Sequence, residues 1–96
     1  MILMQSMYIN FSKKFKKQQN KADAKIKSAL NKKIKLFLQD QFTPHLHNHA
    51  LIGEFKGYRS INITGDFRAL YSESVDKDGN QIIIFEMLGT HSQLYK

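Results

Sequence analysis

The chain has 96 residues, 42% of them hydrophobic, with a net charge of +7 and no cysteine. A chain of this length can build one thin core, so we predict a single domain over residues 1–96. Without cysteine it has no disulfide and no thiolate zinc site, which is typical of the reducing cytoplasm, and its positive charge favours a polyanionic partner over a neutral metabolite.

The positive charge is concentrated in the first half of the chain. Residues 1–41 contain ten lysines and two aspartates, a net charge of +8, whereas residues 42–96 contain five basic and six acidic side chains. A basic segment of this kind attracts nucleic acid by releasing its counterions. A solvated, lysine-rich helix face explains the same charge equally well, so charge alone leaves both interpretations open.

The first six residues begin with a short apolar stretch. No cationic residue precedes it, polar Gln5 and Ser6 follow it, and it is too short for a signal peptide or a membrane span. We therefore predict that residues 1–6 are a frayed extension or an upstream start, and that the protein does not associate with a membrane.

One strand and two helices are predicted next. Residues 8–11 alternate in polarity as a short strand does, and Ser12 can cap the helix that follows, with an interruption at Asn20. A second helix is predicted for residues 21–40. It has to end before Pro44, because the residue that precedes a proline is disfavoured in a helix. Its apolar residues recur at three- and four-residue steps and share one side: Ile26, Ala29, Leu30, Ile34, Phe37 and Leu38.

The second half of the chain predicts antiparallel strands. Residues 58–63 and 67–72 alternate with period two around the turn Thr64-Gly65-Asp66. After a turn at residues 76–80, residues 81–85 contain three consecutive isoleucines, as in a central strand buried on both faces. The sequence therefore predicts an α+β fold, in which an N-terminal strand and two helices pack on a three- to four-stranded antiparallel sheet.

Histidines are the first candidates for chemistry, because an unperturbed imidazole both donates and accepts protons near neutral pH. His91 follows the last apolar strand, where a side chain can be exposed on a rigid scaffold. His45, His47 and His49 alternate in a loop, and in a strand this spacing would aim three metal ligands to one side. No cysteine or glutamate nearby completes a ligand set, so we predict no metal site.

Asp66 and Arg68 are two residues apart and can share a face of the sheet. A carboxylate near a histidine raises its basicity, and an arginine can stabilise a pentacoordinate phosphorane. A structural ion pair between the two side chains is an equally good interpretation.

Three segments together resemble a known toxin family. Residues 49–60, 65–71 and 89–95 contain H-x-L-x-G, K-G-x-R, D-x-R-x-x-Y and G-T-H-x-x-L-Y in this order. Each motif alone is a weak signal, whereas the combination at this spacing is specific. Over about residues 7–96 the chain resembles the RelE/ParE superfamily of toxins, specifically its YafQ-like branch.

The resemblance implies a small, microbial-RNase-like domain that acts as a ribosome-dependent endoribonuclease (an mRNA interferase) of a type II toxin–antitoxin system. The implied partners are a cognate antitoxin protein, the ribosome and mRNA, with no metal and no small-molecule cofactor. Matched residue by residue, the implied catalytic set is His49, Asp66, Arg68, His91 and Tyr95.

Three further residues, Lys56, Arg59 and Asn62, are predicted to bind RNA or phosphate. Asn62 departs from the YafQ-like pattern, which has another histidine at this position. A role in proton transfer is therefore in doubt there, although the amide can still donate a hydrogen bond to phosphate.

RNA carries its own nucleophile, the 2′-OH beside the scissile phosphorus, so its cleavage can proceed by proton transfer without a metal. We expect His49 and Asp66 to help remove the 2′-OH proton and His91 to protonate the 5′-oxygen, although base and acid can be exchanged. Arg68 would stabilise the phosphorane, and Tyr95 would orient the base or the phosphate.

Two other functions remain open. The ParE branch shares the fold but inhibits DNA gyrase without cutting RNA, and its members lack the G-T-H histidine pattern. A basic module that binds RNA or the ribosome would also explain the charge and the tyrosines. The combination of His49, Asp66 and His91 favours the nuclease.

Overall fold

A computed structural model describes residues 6–95 of the chain. Its helices and strands are β1 Met7–Phe11, α1 Lys13–Lys21, α2 Ala24–Gln39, β2 His49–Ala50, β3 Tyr58–Asn62, β4 Phe67–Val75, β5 Gln81–Thr90 and α3 His91–Leu94, with 3₁₀ turns at Pro44–Leu46 and Gly53–Phe55. The extension predicted at residues 1–6 falls outside this range except for its last residue. Within residues 6–95, no helix is long and apolar enough to cross a membrane.

The strands form one sheet in the order β1-β5-β4-β3-β2. The four strands from β5 to β2 are antiparallel, and β1 extends the sheet by pairing in parallel with β5. The predicted α+β class is therefore confirmed, including the N-terminal strand. The predicted central strand is longer than expected, and its isoleucines differ in burial, since Ile83 is fully buried whereas Ile82 and Ile84 are partly exposed.

Local capping explains where the two long helices begin. The Ser12 hydroxyl accepts a hydrogen bond from the Phe15 N–H at 3.0 Å, which confirms the predicted cap of α1. The predicted interruption at Asn20 is wrong, because α1 continues to Lys21. The break comes later because the Asp23 carboxylate caps α2, accepting from the Ile26 N–H at 2.9 Å.

Aromatic rings from helix and sheet form the centre of the core. Phe37 of α2 is fully buried, and its ring centroid lies 5.1 Å from that of Tyr71 and 5.4 Å from that of Phe85. Leu38 was expected on the same buried stripe, but it is 56% exposed. Consecutive helical residues point about 100° apart, so Leu38 falls beyond the edge of the stripe that contains Phe37.

The turn of the β4–β5 hairpin is held by the Asp76 side chain together with the Asp76 N–H, which donates to the Asn80 carbonyl at 2.9 Å. The Asp76 carboxylate accepts hydrogen bonds from the Asn80 and Asp78 N–H groups, each at 2.9 Å. The Asn80 backbone hydrogen bond is the main reason why the pKa of Asp76 lies below its ordinary value. This contribution to stability is present at neutral pH and is lost as the pH falls through the lowered pKa.

A β-bulge in the same hairpin sets the register of the sheet near its C-terminal end. Tyr71 pairs with Phe85 but the preceding Leu70 pairs with Met87, so β5 has one extra residue. After the bulge, β5 ends beside the start of β4, where the His91 N–H donates to the Asp66 carbonyl at 3.1 Å. The bulge thus brings His91 next to the turn before β4.

Candidate active site

A cavity of about 690 Å³ opens on the sheet face that points away from the core. The residues that line it are His47, Asn48, His49, Leu51, Ser60, Asn62, Arg68, His91 and Tyr95. Five of the predicted site residues are therefore brought together, although they come from separate parts of the chain: His49, Asn62, Arg68, His91 and Tyr95. Asp66, Arg59 and Lys56 do not line this cavity.

Strand pairing positions one side of the cavity. His49 of β2 pairs with Ser60 of β3, and Asn62 of β3 pairs with Arg68 of β4. Directly opposed residues of antiparallel strands project to the same face. These four side chains therefore form a polar floor across three neighbouring strands.

His49 is oriented by a hydrogen bond within its own loop. Its Nδ1 lies 2.8 Å from the His47 carbonyl oxygen, which can only accept. Nδ1 therefore carries the proton of the neutral ring, and Nε2 is the nitrogen that can accept one from a substrate. The carbonyl is directed by an unusual backbone, since His47 has a left-handed conformation with φ of 47°.

The segment that contains His91 is built as a tight turn into α3. The Thr90 hydroxyl accepts from the Gln93 N–H at 3.1 Å, and the Gln93 side chain accepts from the Thr90 N–H at 2.9 Å. A Cβ added at Gly89 would lie 3.0 Å from that Gln93 oxygen, so glycine leaves room for this capping box. These contacts explain the G-T-H motif structurally, and they leave His91 exposed at the start of α3.

Aromatic contacts hold His91 and Tyr95 together. The two ring centroids are 4.7 Å apart, and the edge of Phe55 packs on Tyr95 at 5.6 Å. Tyr95 therefore contacts both the Phe55 ring and the His91 imidazole. This arrangement restricts the rotation of His91 at the cavity.

Arg68 is braced by backbone carbonyls rather than by a carboxylate. One terminal nitrogen of its guanidinium donates to the carbonyls of Thr64, Gly65 and Phe67 at 3.0, 3.2 and 3.0 Å. Asp66 lies in the turn before β4 with an exposed side chain, so the expected shared strand face does not form. The remaining donors of Arg68 are available to an anion in the cavity.

Arg59 and Lys56 lie outside the cavity. The Arg59 Nε donates to the Asn48 Oδ1 at 2.9 Å, and its guanidinium lies 5.2 Å from the centroid of the Phe42 ring. Lys56 is exposed at the end of the 3₁₀ turn before β3. Neither residue lines the cavity, so we expect any contact they make with RNA to lie beside it.

The three alternating histidines do not share one side of a strand. His45 lies in a 3₁₀ turn, His47 is left-handed and His49 begins β2, so the alternation of a strand is absent. No group of three or more histidine, aspartate or glutamate side chains that could hold a metal occurs in the part of the chain that the structure describes.

Sequence reasoning did not single out two polar residues of the cavity, Asn48 and Ser60. Asn48 makes three side-chain hydrogen bonds, described below, and no motif signals them. Ser60 is fully buried, and its hydroxyl has no hydrogen-bond partner among residues 6–95. Strand alternation places Ser60 on the cavity face, but it does not reveal that the hydroxyl is unpaired.

Ser60→Ala is expected to raise the free energy of unfolding by about 1 kcal/mol, because it removes a buried hydroxyl that makes no hydrogen bond. Urea denaturation measures this change. Ser72→Ala is the matched control, since the Ser72 hydroxyl donates to the Glu86 carboxylate at 3.1 Å, and the variant is expected to lose stability. A loss of stability in Ser60→Ala would show that its hydroxyl is paired in solution.

Comparisons with known proteins identify relatives over nearly the whole chain. Residues 6–96 match the sequence model of a family described as the bacterial toxin of type II toxin–antitoxin systems, YafQ. A Haemophilus influenzae protein that carries the provisional name toxin YafQ is 39% identical over 46 residues, which are 48% of this chain and 44% of that protein. The match thus spans less than half the length of this relative.

Solved toxin structures share the fold. Escherichia coli YafQ superposes with a TM-score of 0.70 at 23% identity, over 95% of this chain and 100% of that one. YafQ in the E. coli DinJ–YafQ toxin–antitoxin complex gives a TM-score of 0.68 at 25% identity, over 97% and 100%. A copper-bound mutant toxin from Helicobacter pylori gives 0.63 at 30% identity, over 92% and 98%.

Proposed function

This chain belongs to the YafQ family of bacterial type II toxins, and from that premise we propose that it is a ribosome-dependent endoribonuclease that cleaves mRNA. The observation that carries the proposal is the cavity, in which His49, His91, Arg68 and Tyr95 converge. Two imidazoles supply a base and an acid, and the guanidinium supplies a fixed positive charge. These groups accelerate cleavage of RNA by its own 2′-OH.

His49 is assigned as the base of this reaction. Its Nδ1 is occupied by the His47 carbonyl, so the unprotonated Nε2 is available to accept the 2′-OH proton. Asp66 lies outside the cavity, so we assign it no proton transfer; its carbonyl holds the His91 backbone at 3.1 Å. Attack by the 2′-oxygen on phosphorus then forms the phosphorane, and breaking the bond to the 5′-oxygen gives a 2′,3′-cyclic phosphate.

The remaining residues act on the negative charge of the phosphorane and on the departing 5′-oxygen. His91 donates a proton to the departing 5′-oxygen, and Tyr95 keeps the imidazole oriented through their contact at 4.7 Å. Arg68 stabilises the negative charge of the phosphorane with the donors that the turn carbonyls leave free. Asn62, opposite Arg68, donates a hydrogen bond to a phosphate oxygen.

The exposed lysines supply binding rather than chemistry. Those of α1 include Lys13, Lys14, Lys17 and Lys21, which surround one shallow surface pocket. Together with Lys56 and Arg59 they would neutralise phosphates of mRNA or ribosomal RNA and steer association. A cognate antitoxin would hold the toxin inactive, a proposal supported by the DinJ–YafQ complex of the E. coli relative.

The test is controlled expression of the chain in a bacterium, with growth recorded and primer extension run on a translated reporter mRNA. Growth arrest with new cuts that disappear when translation is blocked is the expected result. Growth arrest with intact mRNA would overturn the ribonuclease in favour of a gyrase inhibitor. A folded product that causes no arrest would instead favour a binding module.

A further inference from the structure

The loop that carries His49 is fastened to the sheet through one side chain, Asn48. Its Nδ2 donates to the Tyr71 hydroxyl at 2.7 Å and to the Gln41 carbonyl at 2.9 Å. Its Oδ1 accepts from the Arg59 Nε at 2.9 Å. The amide thus uses both donor hydrogens and an acceptor site on groups from three other parts of the chain.

Tyr71 is a rigid anchor for this amide. The side chain is fully buried, and its ring packs against Phe37 at 5.1 Å and Phe85 at 5.4 Å. Close packing in the core fixes the ring, so the hydroxyl has a defined position relative to the sheet. Arg59 pairs with Tyr71 across β3 and β4 and reaches Asn48 from the same face.

Asn48 lies between His47, whose carbonyl orients the proposed base, and His49, which is that base. His47 has a left-handed backbone, which a non-glycine residue keeps only when its surroundings hold it. Its carbonyl lies 2.8 Å from the His49 Nδ1. If Asn48 were released, the loop could relax toward ordinary backbone angles, and the carbonyl would turn away from the ring.

We propose that Asn48, held by Tyr71 and Arg59, is a positioning residue that sets the tautomer and orientation of His49. The inference rests on the proposed ribonuclease function, because it explains how His49, the proposed base of that reaction, is oriented. Asn48 and Tyr71 act through His49 and take no part in bond breaking. Arg59 contributes through its Nε, which leaves its terminal nitrogens for RNA beside the cavity.

The test is Tyr71→Phe, which removes one oxygen atom and keeps the ring in the core. Cleavage of an mRNA on purified ribosomes is followed under single-turnover conditions over a range of toxin concentrations, and ¹⁵N NMR reports the tautomer of His49. We expect a fall of about tenfold to a hundredfold in the maximal cleavage rate, with an unchanged half-saturating concentration. The Nδ1–H tautomer of His49 is expected to give way to a mixture.

Tyr8→Phe is the matched control, because Tyr8 is 50% exposed on β1 at the opposite edge of the sheet. Asn48→Ala is the second variant, and it is expected to reproduce both changes if Tyr71→Phe does not fold. An unaltered tautomer, or an unaltered maximal rate, in a folded variant overturns the inference. An inactive wild type would overturn the proposed ribonuclease, and the NMR spectra alone would then decide whether this network holds His49.

Discussion

His91→Ala is expected to lower the rate of mRNA cleavage by about 10²- to 10⁴-fold, because the variant lacks the group that we propose protonates the 5′-oxygen. The fold is expected to persist, since His91 is exposed and its backbone hydrogen bond to Asp66 does not need the imidazole. Cleavage rates on ribosomes programmed with a reporter mRNA measure the loss. Growth arrest on expression is expected to disappear with the cleavage.

His45→Ala is the control for this variant. His45 is exposed in the 3₁₀ turn after Thr43 and does not line the cavity, so wild-type cleavage is expected. A lysine of α1 offers a second comparison, because Lys17→Ala is expected to weaken ribosome binding without changing the maximal rate. Normal cleavage by His91→Ala would remove this residue from the mechanism.

Phe37→Ala is expected to lower the free energy of unfolding by about 3–5 kcal/mol, a large part of the stability of a domain of this size. Phe37 is fully buried, and its ring is the contact between α2 and the aromatic rings of Tyr71 and Phe85. The variant loses both the apolar burial and the edge-on aromatic contacts. Urea denaturation followed by circular dichroism measures the change.

Leu38→Ala is the matched control, on the same helix and next in the chain. Because Leu38 is 56% exposed, its truncation is expected to change the free energy of unfolding by less than about 0.5 kcal/mol. Equal losses in the two variants would mean that α2 packs with a different face toward the sheet. The comparison therefore tests the correction to the predicted stripe as well as the core itself.

Periodicity and capping residues predicted most of the elements, because both reflect local chemistry. Ser12 caps α1 as expected, and the alternation of residues 58–63 and 67–72 gives β3 and β4. The interruption predicted at Asn20 was wrong. Asparagine has only modest helix propensity, but α1 tolerates it and ends at Lys21, just before Asp23 caps α2. Local sequence could not show that β1 pairs in parallel with β5, because that contact is not local.

The candidate site shows the same difference between what local patterns reveal and what non-local contacts decide. The motifs indicated His49, Arg68, His91 and Tyr95, and the structure brings them to one cavity, although their roles remain proposals. Asn48 was not predicted, because its importance depends on partners that only the folded chain brings within hydrogen-bond distance. Asparagine in a loop is ordinarily a turn residue, and sequence gives no sign of a buried tyrosine hydroxyl beside it.

The pairing of β1 with β5 affects when the chain can finish folding. Met7 pairs with Gln81, so the first strand must wait for the last one before the sheet is complete. During synthesis the N-terminal half therefore leaves the ribosome with β1 unpaired along both edges. His91 follows β5 directly and reaches the cavity in the same late step.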